Sequence, residues 1–142
     1  MKVVLDANVF ISALFTQQGN AKQILDYWQG NKFELLVSLD ILAEWNRVLH
    51  YPHLAQIHRK SETEIQRLLK LVQKHTTLVK PIEKLAVSDD ESDDRYIECA
   101  VAGGADCLVT GDKKHLLPIG EHKGVRIISP ATFLTLFQFD LL

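Results

Sequence analysis

Asp6, Glu44, the Asp93-Asp94 pair and Asp112 are the residues whose types and surroundings could do chemistry in this chain. Asp6 directly follows the apolar run Val3-Val4-Leu5, and a carboxylate beside buried residues is costly to desolvate unless a positive or hydrogen-bonding group meets it. Gly111-Asp112 closes the expected strand Cys107-Leu108-Val109-Thr110. Glu44 lies six residues beyond Ser38, about 9 Å along a helix axis, among Ile41, Leu42, Trp45 and Val48 instead of on a polar face. Four such groups within a few ångströms either raise one another's pKa values or require a cation. Their donors are oxygens without a matching set of histidines or thiolates, which selects hard Mg²⁺ or Mn²⁺ over zinc. The competing pair, His50-x-x-His53, straddles Tyr51-Pro52, where a helix is expected to end, and makes a poor zinc site.

Short apolar runs alternate with helical periodicity along the chain, and no repeat or low-complexity segment interrupts them. Strands are expected at Val3 to Leu5, Phe33 to Val37, Cys107 to Thr110 and Val125 to Ile128, with a short edge strand or link at Leu78 to Pro81. Between them, helices are expected from Asn8 to Phe15, up to Gly30-Asn31, from Ser38 to Leu49, and from the Ser61-x-x-Glu64 capping box to His75. A further helix runs from the acidic stretch Asp89 to Asp94 to Gly103-Gly104, and Pro130 opens the last one. Strands separated by helices imply right-handed crossovers. The fold class is therefore α/β, a three-layer α/β/α sandwich around a central, mainly parallel sheet.

In open parallel sheets the ligand site lies beyond the carboxyl ends of the strands. Asp6 and Asn8 follow the first strand and Thr110-Gly111-Asp112 follow the fourth, while the Asp93-Asp94 pair occupies the first turn of the helix before it. Taken singly, Asp89, Asp90, Glu91 and Asp94 read as first-turn residues that complement the helix dipole. Helical spacing leaves the choice between Asp93 and Asp94 open. The first precedes Ile97 and Ala100 by four and seven residues, the second Ile97 and Val101 by three and seven.

The 142 residues fit one domain, 1–142, able to bury its own core without disulfides. Apolar residues make up 46% and the formal charge is −2, which excludes a disordered chain. The apolar stretches are far shorter than the roughly 20 residues that span a bilayer, so no membrane association and a cytoplasmic location are expected. Cys99 and Cys107 lie inside expected elements and read as reduced core thiols. Near-neutrality argues against a duplex-wrapping protein, yet it averages two opposed excesses. From Arg59 to Lys80 there are six Lys/Arg against Glu62 and Glu64, a net of +4; from Glu83 to Glu98 there are seven acids against Lys84 and Arg95, a net of −5. The basic helix, including Lys70 and Lys74, and the Lys113-Lys114 pair are expected to line the approach to the acidic centre.

Asp6-Ala7-Asn8-Val9-Phe10-Ile11-Ser12, Ser38-x5-Glu44-x3-Val48-Leu49, Asp93-x2-Tyr96-Ile97-Glu98-x-Ala100 and Val109-Thr110-Gly111-Asp112-Lys113 occur in order, and Ile128-Ser129-Pro130-Ala131 opens the C-terminal helix. In these motifs the chain resembles the PIN-domain family, in particular the prokaryotic group described as toxin components of toxin–antitoxin pairs. The resemblance implies a metal-dependent nuclease acting on RNA, a Mg²⁺ or Mn²⁺ cofactor and an antitoxin partner. It favours Asp93 as the third ligand beside Asp6, Glu44 and Asp112, with Asp94 standing where an Asn is common. Asn8 and Thr110 are then expected to hold ligands or waters, Ser38 to cap its helix within reach of the site, and Lys113 to meet the substrate. A homodimer is expected through an apolar C-terminal face of Phe133, Phe137, Phe139, Leu141 and Leu142. Two alternatives compete: another Mg²⁺-dependent phosphoryl-transfer enzyme on a doubly wound sheet, and a non-catalytic partner- or nucleic-acid-binding module. Asn8, where such a phosphatase needs a second Asp, argues against the first.

Overall fold

The computed structural model describes residues 1–141. Strand β1 (Lys2–Leu5) leads into helices α1 (Ala7–Phe15) and α2 (Asn20–Gln29). Strand β2 (Glu34–Val37) leads into α3 (Leu39–Leu49), α4 (Pro52–His58) and α5 (Glu62–Lys74). Strand β3 (Thr77–Leu78) precedes α6 (Glu91–Gly103) and β4 (Cys107–Val109). A 3-10 turn (Leu117–Ile119), the strands β5 (Glu121–His122) and β6 (Val125–Ile128), and α7 (Pro130–Gln138) complete the chain.

The strands form one six-stranded sheet in the order β3-β2-β1-β4-β6-β5. All neighbours are parallel except β5 against β6. Val3, Val4 and Leu5 are all buried, and because successive strand residues point to opposite faces, helices must cover both. Helix α6 packs against β1, β2 and β4, while α1 and α2 pair and α2 meets α7. The expected three-layer architecture is thus present. At the end of α6 the backbone comes so close to β2 that a Cβ on Gly103 would lie 2.6 Å from Leu36 Cδ1 and 2.9 Å from Val79 Cγ2. Gly104 follows in the left-handed conformation (φ 66°) that closes the helix.

Several elements differ from expectation. Tyr51-Pro52 ends α3 but also begins α4, because the ring fixes φ and removes an N–H that a first helical residue leaves unpaired anyway. The edge strand lies at Thr77–Leu78, earlier than the Leu78 to Pro81 expected, although the Val79 amide still donates to Val37 O at 2.7 Å. The β5-β6 hairpin was hidden in its turn, Lys123-Gly124, where both residues have positive φ (48° and 86°).

The apolar C-terminal face is smaller than its sequence suggests. Phe133 is fully buried, and Phe133 and Phe137 form an aromatic cluster with Phe33 and Tyr27. Of the expected dimer face only Phe139 and Leu141 stay exposed among the described residues, and Leu142 lies outside them. The last residue of the basic helix also departs from expectation. Lys74 lines a hollow with Met1, Lys2 and Glu34, at the amino ends of β1 and β2. That is the end of the sheet opposite to Asp6 and Asp112, because α5 returns the chain to start the parallel strand β3.

Candidate metal centre

The strand order reverses at β1: β2 and β3 lie to one side, β4, β6 and β5 to the other. The crevice beyond the carboxyl ends of β1 and β4 is therefore the switch point at which such sheets bind ligands. Asp6 sits there as the N-cap of α1, accepting from the Val9 amide at 2.9 Å, while its own amide continues the sheet by donating to Val109 O at 3.1 Å. Its other carboxylate oxygen accepts from the Thr110 hydroxyl. Thr110 Oγ1 in turn accepts from the Asp112 amide at 3.0 Å, so one buried hydroxyl ties the ends of β1 and β4 together. Asp112 Oδ1 accepts from the amides of Lys114 and His115, each at 3.0 Å, which fixes the turn after β4.

Asp93 projects from the first turn of α6 toward the same crevice. Burial, a hydrogen bond shared with Asp112, and the charges of Asp112, Asp90 and Asp6 push its pKa up to about 8. Burial also acts on Asp112, but the His115 amide, the Asp93 carboxyl and the Lys114 amide outweigh it and hold this group below its ordinary value. The two acids thus shift in opposite directions, as coupled carboxyl groups in one site do. Asp6 is raised by burial and by the Asp112 charge, against the opposing bonds from Thr110 and Val9. Glu44, half-buried on α3, is raised by burial and by Asp6 and Asp90, with Tyr96 and Arg47 opposing. Asp6 thus acts on Glu44 and Asp93, and Asp112 acts on Asp6 and Asp93.

Asp94 is not part of this group. Its Oδ1 accepts from the amides of Val87 (3.1 Å) and Ser88 (2.8 Å), so a fully buried carboxylate anchors the irregular segment that leads into α6. Asp94 as an expected metal ligand is corrected on that ground: its neighbour Asp93 meets Asp6 and Asp112. Glu98, one turn later, does similar work by accepting from the Leu85 amide at 3.2 Å and pairing with Arg95 at 2.6 Å. Ser38 caps α3 through the Ile41 amide at 3.2 Å and is buried. Asn8 and Lys113 are both exposed, Asn8 one residue into α1 and Lys113 beside Asp112. His50 bonds Asn46 O at 2.6 Å and the Glu62 carboxylate, which leaves it no role with His53 in binding zinc. The thiols of Cys99 and Cys107 are free, buried and pushed up to about 12 by burial, as inert core cysteines should be.

Tyr96 is the site residue that the sequence reading passed over. Its hydroxyl is buried beside Trp45 and Glu44 yet has no hydrogen-bond partner of normal geometry among the described residues, and neither has Trp45 Nε1. Burial and the Glu44 and Asp6 charges drive the phenol well above its ordinary value, so it keeps its proton. The available signal was its position three residues after Asp93, on the same helical face.

No ready-made cage exists: among the described residues no three His, Cys, Asp or Glu side chains gather tightly enough to enclose a metal ion. The donor set nevertheless suits a small hard cation. Mg²⁺ and similar ions keep several waters and bind through one or two carboxylates, and Asp93 and Asp112 act on each other as such a carboxylate pair.

The sequence matches the PIN domain family over residues 2–114. The chain belongs to that family. Among relatives of this PIN domain, an uncharacterised protein of Methanocaldococcus jannaschii is 32% identical over 127 residues, covering 89% of this chain and 81% of that protein. VapBC2 from Rickettsia felis, bound to a DNA fragment from its promoter, superposes with a TM-score of 0.59 at 15% identity, over 91% of this chain and 98% of that one. VapBC-1 from nontypeable Haemophilus influenzae gives 0.61 at 14% identity, over 92% and 99%. At those identities the likeness speaks for the fold, which is the PIN-like α/β sandwich. Among the described residues no helix is long and apolar enough to cross a membrane.

Proposed function

We propose that this PIN domain is a divalent-metal-dependent endoribonuclease, and that it is the toxin of a toxin–antitoxin pair. The observation that supports the first part is that Asp6 and Asp112 stand just beyond the carboxyl ends of β1 and β4 at the switch point of the sheet, with Asp93 electrostatically coupled to both and Glu44 to Asp6. When bound, a Mg²⁺ or Mn²⁺ ion supplies a water of lowered pKa and offsets charge developing on the phosphate oxygens. Asp6, Asp93 and Asp112 would hold that ion, and Glu44 would orient its waters from the side of α3. Thr110 keeps the Asp6 and Asp112 sides of the site in register through its two hydrogen bonds. Asn8 and Lys113, both exposed and close in sequence to Asp6 and Asp112, would meet the scissile phosphate and its neighbour.

The second part is supported by the likeness to two VapBC toxin–antitoxin complexes, and it implies a protein antitoxin as partner. Single-stranded RNA incubated with the purified chain should be cut with Mg²⁺ or Mn²⁺ and spared with EDTA, and Asp6→Asn should remove the activity. Equal cleavage by wild type and the Asp6→Asn protein would reject this site as the origin of any activity seen.

A further inference from the structure

Two hydrogen-bond donors in the core, the Tyr96 hydroxyl and the Trp45 indole N–H, are fully buried and unpartnered among the described residues. Nearly all buried donors in folded proteins are satisfied, so two orphans side by side need a reason. They lie on packed helices: α3 carries Glu44 and Trp45, α6 carries Tyr96, the two helices are in contact, and the Glu44 charge acts on the Tyr96 phenol. Their rings are rigidly held. Trp45 stacks on Phe10 at 4.1 Å and 5°, Phe10 meets Trp28 edge-on at 6.1 Å, and Tyr96 lies in the buried face of α6. Glu44 itself is attached to α3 next to Trp45 and is only half-buried, so without these donors its carboxylate would be free to turn toward solvent or toward Arg47.

We infer that Tyr96, backed by Trp45, is a positioning residue that holds the Glu44 carboxylate at the metal centre. With the Trp45 N–H turned to the phenol oxygen, the phenol O–H would be left to meet the Glu44 carboxylate and hold it for a bound cation. A phenylalanine would fill the same space but offer no donor. This inference rests on the metal-centre reading above and adds to it a set of groups outside the carboxylate cluster.

The test is Mn²⁺ binding by calorimetry, with thermal unfolding in EDTA as the control for folding. Wild type should bind Mn²⁺, Tyr96→Phe should bind it about 10-fold more weakly, and Trp45→Phe should show a smaller loss. Unfolding temperatures in EDTA should stay within about 2 °C for Tyr96→Phe, because the ring and its packing are kept. Glu44→Gln should lose affinity as well, and adding Tyr96→Phe to it should cost nothing further, since the hydroxyl acts through Glu44. Unchanged Mn²⁺ affinity in Tyr96→Phe, or a loss that adds in full to that of Glu44→Gln, would overturn the inference while leaving the metal centre standing. A wild type that does not bind Mn²⁺ would overturn both.

Discussion

Asp93 offers the most direct test of the electrostatics. In the metal-free protein its pKa rises from 3.8 to about 8, through burial, the Asp112 hydrogen bond and the neighbouring carboxylates. Below pH 3.8 both the folded and the unfolded chain carry the proton, and nothing differs between them. As pH rises from 3.8 toward about 8, the unfolded chain releases its proton while the folded chain keeps it. Folding is then progressively disfavoured, and above that window the cost is constant. Taken at face value the shift is worth roughly 5–6 kcal/mol, but the side chain is only half-buried and water screens it, so about 1–2 kcal/mol is the reasonable figure. Asp93→Asn mimics the protonated acid at every pH. In EDTA it should melt within about 2 °C of wild type near pH 5 and roughly 3–8 °C above it near pH 8.5. Asp6 and Glu44 are raised too, but they are present in both proteins and differ between them only through the charge that Asp93 gains above that window. Adding Mn²⁺ near pH 8.5 should reverse the order, because a ligand that binds the folded state stabilises wild type more than a variant lacking one carboxylate. A melting gap no larger near pH 8.5 than near pH 5 would refute this account of the site.

Three further outcomes follow from single contacts. Asp94→Ala should lower stability by about 2–3 kcal/mol in urea, because the Val87 and Ser88 amides lose their partner; a loss under about 0.5 kcal/mol would show that the segment before α6 does not need this anchor. Gly103→Ala should cost about 1–3 kcal/mol by forcing a methyl group to within 2.6 Å of Leu36 Cδ1, and an unchanged unfolding midpoint would show that α6 can shift away. Lys113→Glu should raise the KM for RNA severalfold and steepen no other parameter, whereas Lys74→Glu, at the opposite end of the sheet, should leave it unchanged; the reverse pattern would relocate the substrate path to α5.

Much of this molecule was legible in its linear order because local physics decided it. Alternation of apolar runs with helical periodicity, the Ser38 and Ser61 caps and the Gly103-Gly104 stop mark the elements, since each depends on residues within about four positions. That Asp6 and Thr110-Gly111-Asp112 follow parallel strands places them at one end of a sheet, through the rule that βαβ connections share a hand. What could not be read was whatever depends on distance in space. Asp93 and Asp94 are equivalent on a helical wheel, and only the packing of the 85–90 segment against α6 turns one into an anchor and leaves the other at the crevice. Lys74, within the basic stretch from Arg59 to Lys80, reads in sequence as part of a substrate path, but α5 carries it to the amino ends of β1 and β2. Phe133 and Phe137 looked like a dimer face until Phe33 and Tyr27 met them.

Periodicity, caps and the carboxylates beside apolar runs were therefore properties of the chain as written, because desolvation and helix geometry act locally. Which carboxylates repel one another, which end of the sheet a lysine reaches and which buried donors are left unpartnered depended on tertiary contacts, because Coulomb interactions and hydrogen bonds act over a few ångströms regardless of separation in sequence.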